Sequence, residues 1–514
     1  MRTRRDVWKL ASDPNDQTLH WYSVAVQAMQ ARLINDPTSW SFQAAVHGYD
    51  ATLYPHLRSD EKLPAPNIQK TYWDNCQHAS WWFLPWHRIF LYLFEKMCRD
   101  AISKAGGPSD WALPYWDYSH PSSAVQRTLP KPFRDPQVGG KTNPLFAARG
   151  NKVNTGGVVG TTKQSENRTC MKSRVFSGNF PNGFGGGASP VIQFSHYTGS
   201  CENEPHNTMH DAIGGLAGWM GNPDAAALDP IFWLHHSNID RLWVIWAGNT
   251  SHTPPPDTSW NGQTFNFYDD TGKPQTYKVS DVLQTTGPLC DYQYEDTTNP
   301  LSAQPVTKLA PSVGRFGKPA APPPTPPPAA PGGPLEQLAE KAMRKSQLVG
   351  ASETTAMQLG SSPQSVSLDL HTLPPPVAPA AAAAAAPATQ HVILALENVT
   401  AQAHPIHTYG VYVNVPAGAD PSAHPELLAG LISRFGLVKA SQSDSDHGGQ
   451  GLNLSFDISE IVAKLEQEGT WDPAKLHVTF APHDLDEIAA LKAEGNAVPQ
   501  MQPVKVGRVS IYVQ

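Results

Sequence analysis

Two stretches rich in proline and alanine limit how this chain can fold. The first is "KPAAPPPTPPPAAPGGP" at 318–334, and the second is "PPPVAPAAAAAAAPATQ" at 374–390. Proline fixes its own backbone angle and has no N–H to donate, so both stretches predict extended spacers outside any core. The chain has 514 residues, which is also too long for one ordinary hydrophobic core. We therefore expect one domain over 1–317, a linker over 318–390 and a second domain over 391–514.

Between the two spacers lies one stretch of a different character, "PLEQLAEKAMRKSQL". It places Leu335, Leu338, Ala342 and Met343 on one side of a helix. We expect a short amphipathic helix over 335–349 that serves as a docking or oligomer-contact segment.

After residue 390 the apolar residues alternate with polar ones. The alternation is clear in "HVILALENV", "YGVYVNVP", "LNLSFDIS", "LHVTFAP" and "VGRVSIYV". An alternation of apolar and polar residues with a period of two is typical of half-buried antiparallel strands. One helical stretch, "ISEIVAKLEQEG", interrupts them. The pattern predicts a C-terminal antiparallel β-sandwich.

Before residue 318 the longest periodic segments have helical spacing. "LPWHRIFLYLFEKMCRDAISKAGG" (84–107) has a proline in its first turn and ends at two glycines, and "DPIFWLHHSNIDRLWVIWAG" (229–248) begins with Asp-Pro and ends at a glycine. Proline in the first turn and glycine after the last turn are common signals of helix starts and ends. The segments 14–34 and 203–214 also suit helices. The first domain is therefore predicted to be mainly α.

Composition argues against several classes of partner. The formal net charge is −7 without a basic run, so no nucleic-acid partner is expected. No apolar stretch approaches the roughly 20 residues that cross a bilayer, so no membrane partner is expected either. The N-terminus lacks the apolar segment of a signal peptide, and five cysteines make a poor disulfide framework. Both features favour a cytoplasmic location.

Histidines are placed where helices would bring them together. His206 and His210 are four residues apart, so their rings lie on one helix face, about 6 Å apart along the axis. His235 and His236 are adjacent and point about 100° apart, so at most one is expected to face the same centre. Several imidazoles on separate apolar helices predict a metal site. Because no carboxylate falls in frame with them, copper that handles dioxygen is favoured over non-haem iron. A mononuclear zinc site would use three histidines and leave the others unexplained.

Five stretches together resemble one family. "HGYD", "CQHASWWFLPWHRIFLYLFE", "LPYWDYSH", "ENEPHNTMHD" and "DPIFWLHHSNIDRLW" are similar to the tyrosinase and catechol oxidase family of dicopper proteins over about residues 40–295. "DYQYED" resembles the Tyr-X-Tyr motif that closes the catalytic domain in that family. The resemblance implies a four-helix-bundle core around two copper ions. The first ion would be held by His47, His78 and His87, and the second by His206, His210 and His236, with His235 beside the pocket.

The resemblance also implies roles for residues around the metals. Cys76, two residues before His78, resembles the fungal and molluscan members in which a thioether joins this sulfur to the histidine ring. Such a bond would orient His78 before copper arrives. The alternative is a buried free cysteine, which is common. Asp240 and Arg241 would be structural partners that lock the helix of His236.

Glu202 matches the water-holding glutamate of the family, and Asn207 matches the amide that orients this water in members that hydroxylate monophenols. The alternatives are a solvated surface glutamate and a helix-start asparagine. Phe232, one turn before His236, is expected to pack against the copper ligands. Pro223 stands where plant members have a bulky gate residue, which implies an entrance permissive for para-substituted phenols.

The function that follows is o-hydroxylation of monophenols and oxidation of o-diphenols to o-quinones by O2. The alternatives are a catechol oxidase without monophenolase activity and a haemocyanin-like O2-binding protein. One site on a short chain, with Glu202 and Asn207 in place, favours the enzyme. The C-terminal domain would be either an autoinhibitory lid or a module for homo-oligomer formation.

Overall fold

The computed structural model divides the chain into two compact units. The helical unit comprises Met1–Phe176, Val191–Phe194 and Cys201–Ser302, and the β unit comprises Ser177–Pro190, Ser195–Ser200 and Ala303–Gln514. The structure describes residues 1–54, 61–119, 124–150, 152–166, 168–178, 182–255, 258–287, 289–303, 347–352, 356–370, 391–472, 474, 476–493 and 502–513.

The helical unit contains nine α-helices and one π-helix among its described residues. They are α1 (Val7–Ser12), α2 (Thr18–Gln30), α3 (Trp40–His47), α4 (Pro66–Tyr72), α5 (Phe83–Lys104), α6 (Arg168–Met171), the π-helix (Glu202–Asn207), α7 (Thr208–Gly214), α8 (Pro230–Ala247) and α9 (Thr258–Gly262). Its strands are β1 (Arg2–Arg4), β2 (Gln137–Val138), β3 (Lys141–Thr142), β4 (Thr264–Tyr268), β5 (Pro274–Lys278) and β6 (Tyr292–Tyr294). The predicted mainly helical fold is confirmed.

Helices α5 and α8 form the centre of this unit. The side chain of Asp229 caps α8 by accepting a hydrogen bond from the backbone N–H of Ile231 at 3.0 Å, and Pro230 fills the first position. The rings of Phe94 on α5 and Trp233 on α8 stack 3.5 Å apart. Both helices are buried on nearly every side, as expected for helices inside a core. Within the described part of the chain, no helix combines the length and apolar character that a membrane span requires.

The two ends of the helical unit meet at Asp240. Strand β1 pairs in parallel with β6, which brings Arg4 over the ring of Tyr292 at 3.6 Å. Asp240 accepts hydrogen bonds from the Nε of Arg88 at 2.5 Å and from the hydroxyls of Tyr292 and Tyr294 at 2.7 and 2.6 Å. Burial opposes ionisation of Asp240, but the charges of Arg88 and Arg4 outweigh it and hold the pKa of its carboxyl below the usual value. The carboxylate therefore joins α5, α8 and both terminal strands.

Replacing Asp240 with asparagine should destabilise the helical unit by about 3–5 kcal/mol, because the buried guanidinium of Arg88 loses its compensating charge and that of Arg4 keeps only Glu95. The measurement is the free energy of unfolding in denaturant. The matched control is Asp100→Asn, which removes an exposed partner of Lys104 and should cost no more than about 1 kcal/mol. Equal losses in the two variants would contradict this role for Asp240.

The β unit contains two antiparallel sheets and three short α-helices among its described residues. Its strands are β7 (Gln347–Ala351), β8 (Met357–Leu359), β9 (Gln364–Leu368), β10 (Val392–Ala401), β11 (Tyr409–Val413), β12 (Leu428–Ile432), β13 (Leu452–Asp457), β14 (Leu476–Pro482) and β15 (Val504–Val513), and its helices are α10 (Leu437–Ala440), α11 (Ser459–Gln467) and α12 (Leu485–Ala493). One sheet has the order β13-β10-β15-β7, with β8 also pairing with β15, and the other has the order β12-β11-β14-β9. The predicted antiparallel β-fold is confirmed.

The prediction of a linker as far as residue 390 is wrong for 347–351, 357–359 and 364–368. These residues form β7, β8 and β9, which pair with β15 and β14. Short edge strands carry too little alternation to stand out between two spacers, and their pairing partners lie more than a hundred residues away. Of the helix predicted over 335–349, residues 335–346 lie outside the described residues, and 347–349 belong to β7.

Two segments from the first half of the sequence also belong to the β unit, which corrects the predicted boundary at 317. A β-bridge joins Tyr197 to Asn453 on β13, the edge strand of its sheet. The backbone carbonyl of His196 accepts the N–H of Asn453 at 2.8 Å, and the side-chain amide of Asn182 donates to the carbonyl of Asn453 at 2.8 Å. These segments satisfy backbone groups that an edge strand would otherwise leave open.

Candidate metal centre

Three histidines of the helical unit form a first trio. His47 is the last residue of α3, His78 lies in the irregular segment before α5, and His87 lies in the first turns of α5. Their ring centroids are 5.3 Å apart for His47 and His78, 5.2 Å for His78 and His87, and 5.6 Å for His47 and His87. All three side chains are buried.

A second trio comes from the π-helix, α7 and α8. The Nε2 atom of His236 lies 3.3 Å from that of His206 and 3.4 Å from that of His210. Two imidazole nitrogens that bind one ion at about 2.0–2.1 Å lie about 3.5 Å apart when the bond angle is about 120°. The three nitrogens therefore have the spacing of ligands on a common metal ion.

The two trios are adjacent. The rings of His87 and His236 stack 4.5 Å apart, and the rings of His78 and His206 are 5.6 Å apart. Ligand nitrogens of His47, His87 and His236 also lie within 4.8 Å of one another. The arrangement can hold two metal ions side by side.

Hydrogen bonds orient four of these imidazoles through Nδ1, which directs Nε2 towards the centre. The acceptors and distances are the carbonyl of Pro223 for His47 at 2.9 Å, the carbonyl of Phe83 for His87 at 2.8 Å, the Oδ1 of Asn207 for His206 at 2.7 Å and the carbonyl of Met220 for His210 at 2.7 Å. An Nδ1–H donor fixes the tautomer whose Nε2 lone pair can bind a metal.

Two observations test whether copper fits these residues. Among the described residues, the buried Nε2 of His87 has no hydrogen-bond partner, as expected for a nitrogen that serves a metal. Burial, followed by the neighbouring imidazoles, lowers the pKa of His78, His87 and His236 well below the usual value, which keeps these rings neutral. Neutral imidazoles without a carboxylate ligand suit copper. The residues fit a pair of copper ions.

His235 lies beside the second trio. One of its ring nitrogens is within 4.8 Å of ring nitrogens of His206, His210 and His236. The Nδ1 of His235 is 3.1 Å from the hydroxyl of Tyr118. This position is compatible with the place beside the pocket that the resemblance implies for His235, and His236 as the one ligand of the adjacent pair stays a prediction.

Glu202 and Asn207 occupy the two ends of the π-helix. The buried carboxylate of Glu202 accepts a hydrogen bond from the backbone N–H of Ala79 at 2.7 Å. Ala79 has φ of 51°, a left-handed conformation that costs free energy in a non-glycine residue. Glu202 thus joins the backbone beside His78 to the helix of His206, and Asn207 bonds the ring of His206 directly.

The π-helix depends on side chains for its position. Glu204 is extended (φ −136°, ψ 121°) and Pro205 has no N–H, so the helical hydrogen-bond ladder is interrupted. The Nζ of Lys163 pairs with the Oε2 of Glu204 at 3.2 Å, and the hydroxyl of Thr208 donates to the carbonyl of Gln164 at 2.7 Å. The segment around Lys163 therefore holds the helix that carries Glu202 and His206.

The remaining predicted residues also lie at the site. Cys76 is buried, and its sulfur lies within 4.8 Å of a ring nitrogen of His47 and of His78. The ring of Phe232 contacts those of His236 and His47, with centroids 4.2 and 4.9 Å apart. Pro223 reaches His47 through its backbone carbonyl, a contact that its place in the sequence did not suggest.

Sequence patterns missed Ala79, Gln193 and Phe194. The ring of Phe194 stacks on His78 at 4.6 Å, and the carbonyl of Gln193 accepts the N–H of His78 at 2.9 Å. Gln193 and Phe194 lie in a loop without periodicity, so only the fold reveals their contacts.

Comparison with known proteins agrees with this geometry. A family model described as the common central domain of tyrosinase matches residues 37–249, and one described as a domain of unknown function matches 345–514. The chain is 32% identical over 525 residues to Tyrosinase HcTyr1 of Hahella sp. (strain CCB-MM4), covering 100% of this chain and 99% of that protein.

Plant proteins are similar over a shorter part. Polyphenol oxidase latent form, chloroplastic, of Prunus armeniaca is 30% identical over 312 residues, covering 56% of this chain and 48% of that protein. The structure of latent apple tyrosinase superposes with a TM-score of 0.60 at 23% identity, covering 100% of this chain and 97% of that one. The chain therefore belongs to the tyrosinase and polyphenol oxidase family of oxidoreductases, which use a dinuclear copper centre to oxidise phenols.

Proposed function

We propose that this protein hydroxylates monophenols at the ortho position and oxidises o-diphenols to o-quinones, with O2 as the oxidant. The observation that carries the proposal is the pairing of Glu202 and Asn207 at the two ends of the π-helix, beside the ligands of both metals. An O2 carrier needs no group that takes the proton of a phenol. A catechol oxidase also removes phenolic protons, so the carboxylate of Glu202 favours an enzyme over a carrier, and Asn207 is the residue that the resemblance connects with hydroxylation of monophenols.

The chemistry that bound copper supplies is two-electron exchange with O2 and a positive charge that attracts phenolate. A free phenol has a pKa near 10, so at neutral pH it must give up its proton on arrival. A carboxylate can accept that proton directly or through one water molecule. We assign this role to Glu202, whose orientation is fixed by the N–H of Ala79.

The other residues of the site orient the histidine rings or enclose them. Asn207 holds the ring of His206, and Phe232 gives the histidine cluster an apolar wall against His47 and His236. Buried aromatic side chains around the site, Trp86 and Phe83 among them, limit the access of bulk water to the rings.

The test is O2 consumption with L-tyrosine and with L-DOPA by the copper-loaded full chain. The proposal expects oxidation of both, with hydroxylation of L-tyrosine before oxidation. Oxidation of L-DOPA alone would favour a catechol oxidase, and reversible O2 uptake without turnover of either would favour a carrier.

We propose in addition that a thioether joins the sulfur of Cys76 to the ring of His78. The S–H bond and one ring C–H bond would break and an S–C bond would form, while O2 accepts the two electrons and two protons and becomes hydrogen peroxide. The support is the nearness of the sulfur to the His78 ring. Mass spectrometry of the peptide that contains both residues should find it two hydrogen atoms lighter after copper and air are added, and an unchanged mass would refute the bond.

For the β unit we propose autoinhibition rather than oligomer assembly. The support is the word "latent" in the name of the Prunus armeniaca relative, whose match to this chain covers 56% of it. Cleavage at a protease site engineered near residue 318, followed by removal of the C-terminal fragment, should raise the rate of L-DOPA oxidation several-fold. Light scattering provides the second measurement. A fall in molar mass larger than the mass of the removed fragments, without a change in rate, would favour oligomer assembly through the C-terminal region.

A further inference from the structure

His78 differs from the other five histidines of the two trios in its support. His47, His87, His206, His210 and His236 all lie on helices, whose backbones set the direction of each ring. His78 lies in the irregular segment between α4 and α5, beside the left-handed Ala79. A ligand in such a segment needs support from another part of the chain to hold one orientation.

That support comes from Val191–Phe194, which we call the strap. The backbone N–H of His78 donates to the carbonyl of Gln193 at 2.9 Å, and a parallel β-bridge joins His78 to Phe194. The strap thus fixes the backbone of His78 from outside its own segment.

The strap also contacts the two side chains. The ring of Phe194 stacks on the imidazole of His78 with centroids 4.6 Å apart and planes 10° apart. The side-chain amide of Gln193 donates to the sulfur of Cys76 at 3.8 Å. Gln193 and Phe194 are buried, at 4% and 2% exposure, so both contacts are shielded from water.

We propose that Gln193 and Phe194 are positioning residues for the first copper ion. Phe194 restricts the imidazole of His78 to one plane. The backbone carbonyl of Gln193 holds the backbone of His78, and the side-chain amide of Gln193 directs the sulfur of Cys76 towards the His78 ring. The inference rests on the dicopper centre and not on hydroxylation of monophenols. Gln193 and Phe194 would orient His78, the one histidine of the two trios that does not lie on a helix.

The experiment measures copper retained per chain during dialysis against a graded chelator, without any phenol. In Phe194→Leu the ring is lost while apolar volume is kept, and in Gln193→Met the amide donor is lost while the side-chain length is kept. Because partners that orient a ligand change metal affinity by about 10–100-fold, one of the two copper ions should leave each variant at a chelator concentration lower by about that factor. Phe194→Tyr keeps the ring and should retain both ions.

The matched control is Phe267→Leu. Phe267 is also 2% exposed in the helical unit, and its ring contacts are with Trp86, Phe90 and Tyr277 rather than with a histidine. This variant should lose stability yet keep both copper ions. The rate at which the Cys76–His78 peptide becomes lighter is a second readout, expected to fall in Gln193→Met.

Wild-type copper affinity in both Phe194→Leu and Gln193→Met would overturn the proposal. So would loss of copper from Phe267→Leu to the same extent, because that would trace the effect to general loosening of the core. If the wild-type peptide never becomes lighter, the thioether is refuted, while the copper measurement still decides the role of the strap. Failure to oxidise L-tyrosine bears on the proposed function and leaves this result unchanged.

Discussion

Replacing His236 with glutamine should remove at least one of the two copper ions and abolish oxidation of both L-tyrosine and L-DOPA. The Nε2 of His236 lies 3.3 and 3.4 Å from those of His206 and His210, and its ring stacks on His87 of the first trio. Loss of a partner that merely orients a ligand already costs about 10–100-fold in metal affinity or activity, so loss of the ligand should cost more than about 100-fold.

Elemental analysis gives the copper content of this variant, and O2 uptake gives its activity. The matched control is His20→Gln, since His20 is exposed on α2 and its ring contacts Trp21. The control should keep both ions and full activity. Two copper ions and near wild-type rates in His236→Gln would rule out His236 as a ligand.

Replacing Glu202 with glutamine should lower kcat/KM for L-tyrosine by about 100- to 10,000-fold, the usual contribution of a positioned acid or base. The effect on L-DOPA should be much smaller. Glutamine keeps an oxygen that can accept the N–H of Ala79, so the link between the two halves of the site is retained while the proton acceptor is lost. Copper content should therefore stay at the wild-type value.

The control for this variant is Glu295→Gln, which changes a half-buried carboxylate that pairs with Lys9 and Arg5 away from the histidines. It should leave both activities unchanged. Equal loss of the two activities in Glu202→Gln, together with loss of copper, would mean that Glu202 acts by holding the irregular segment that contains Ala79 and His78. Unchanged hydroxylation would remove it from the mechanism.

Local sequence signals predicted the helices and the strands with long repeats. The apolar spacing of 84–107 and 229–248 and the terminal prolines and glycines led to α5 and α8 within a few residues. The alternation after residue 390 led to β10, β11, β13, β14 and β15. These elements carry their own periodicity, which is a property of consecutive residues and needs no knowledge of the partner surface.

The spacing of apolar and polar residues could not predict contacts made by backbone groups and by irregular segments. The carbonyl of Pro223 that orients His47, the N–H of Ala79 that binds Glu202 and the stacking of Phe194 on His78 leave no trace in residue spacing. A carbonyl or N–H is present in every residue, and which one faces a ligand is decided by where the chain turns.

Sequence alone determined the ligand chemistry of this protein: the number and type of imidazoles, their order along two helical clusters, and the apolar helices that remove them from water. Tertiary structure decided how those rings converge, which groups orient them, and that 347–368 and parts of 177–200 belong to the β unit. The physical reason is that residue type and helical period are local quantities, whereas strand pairing and ring orientation depend on contacts between residues far apart in the chain.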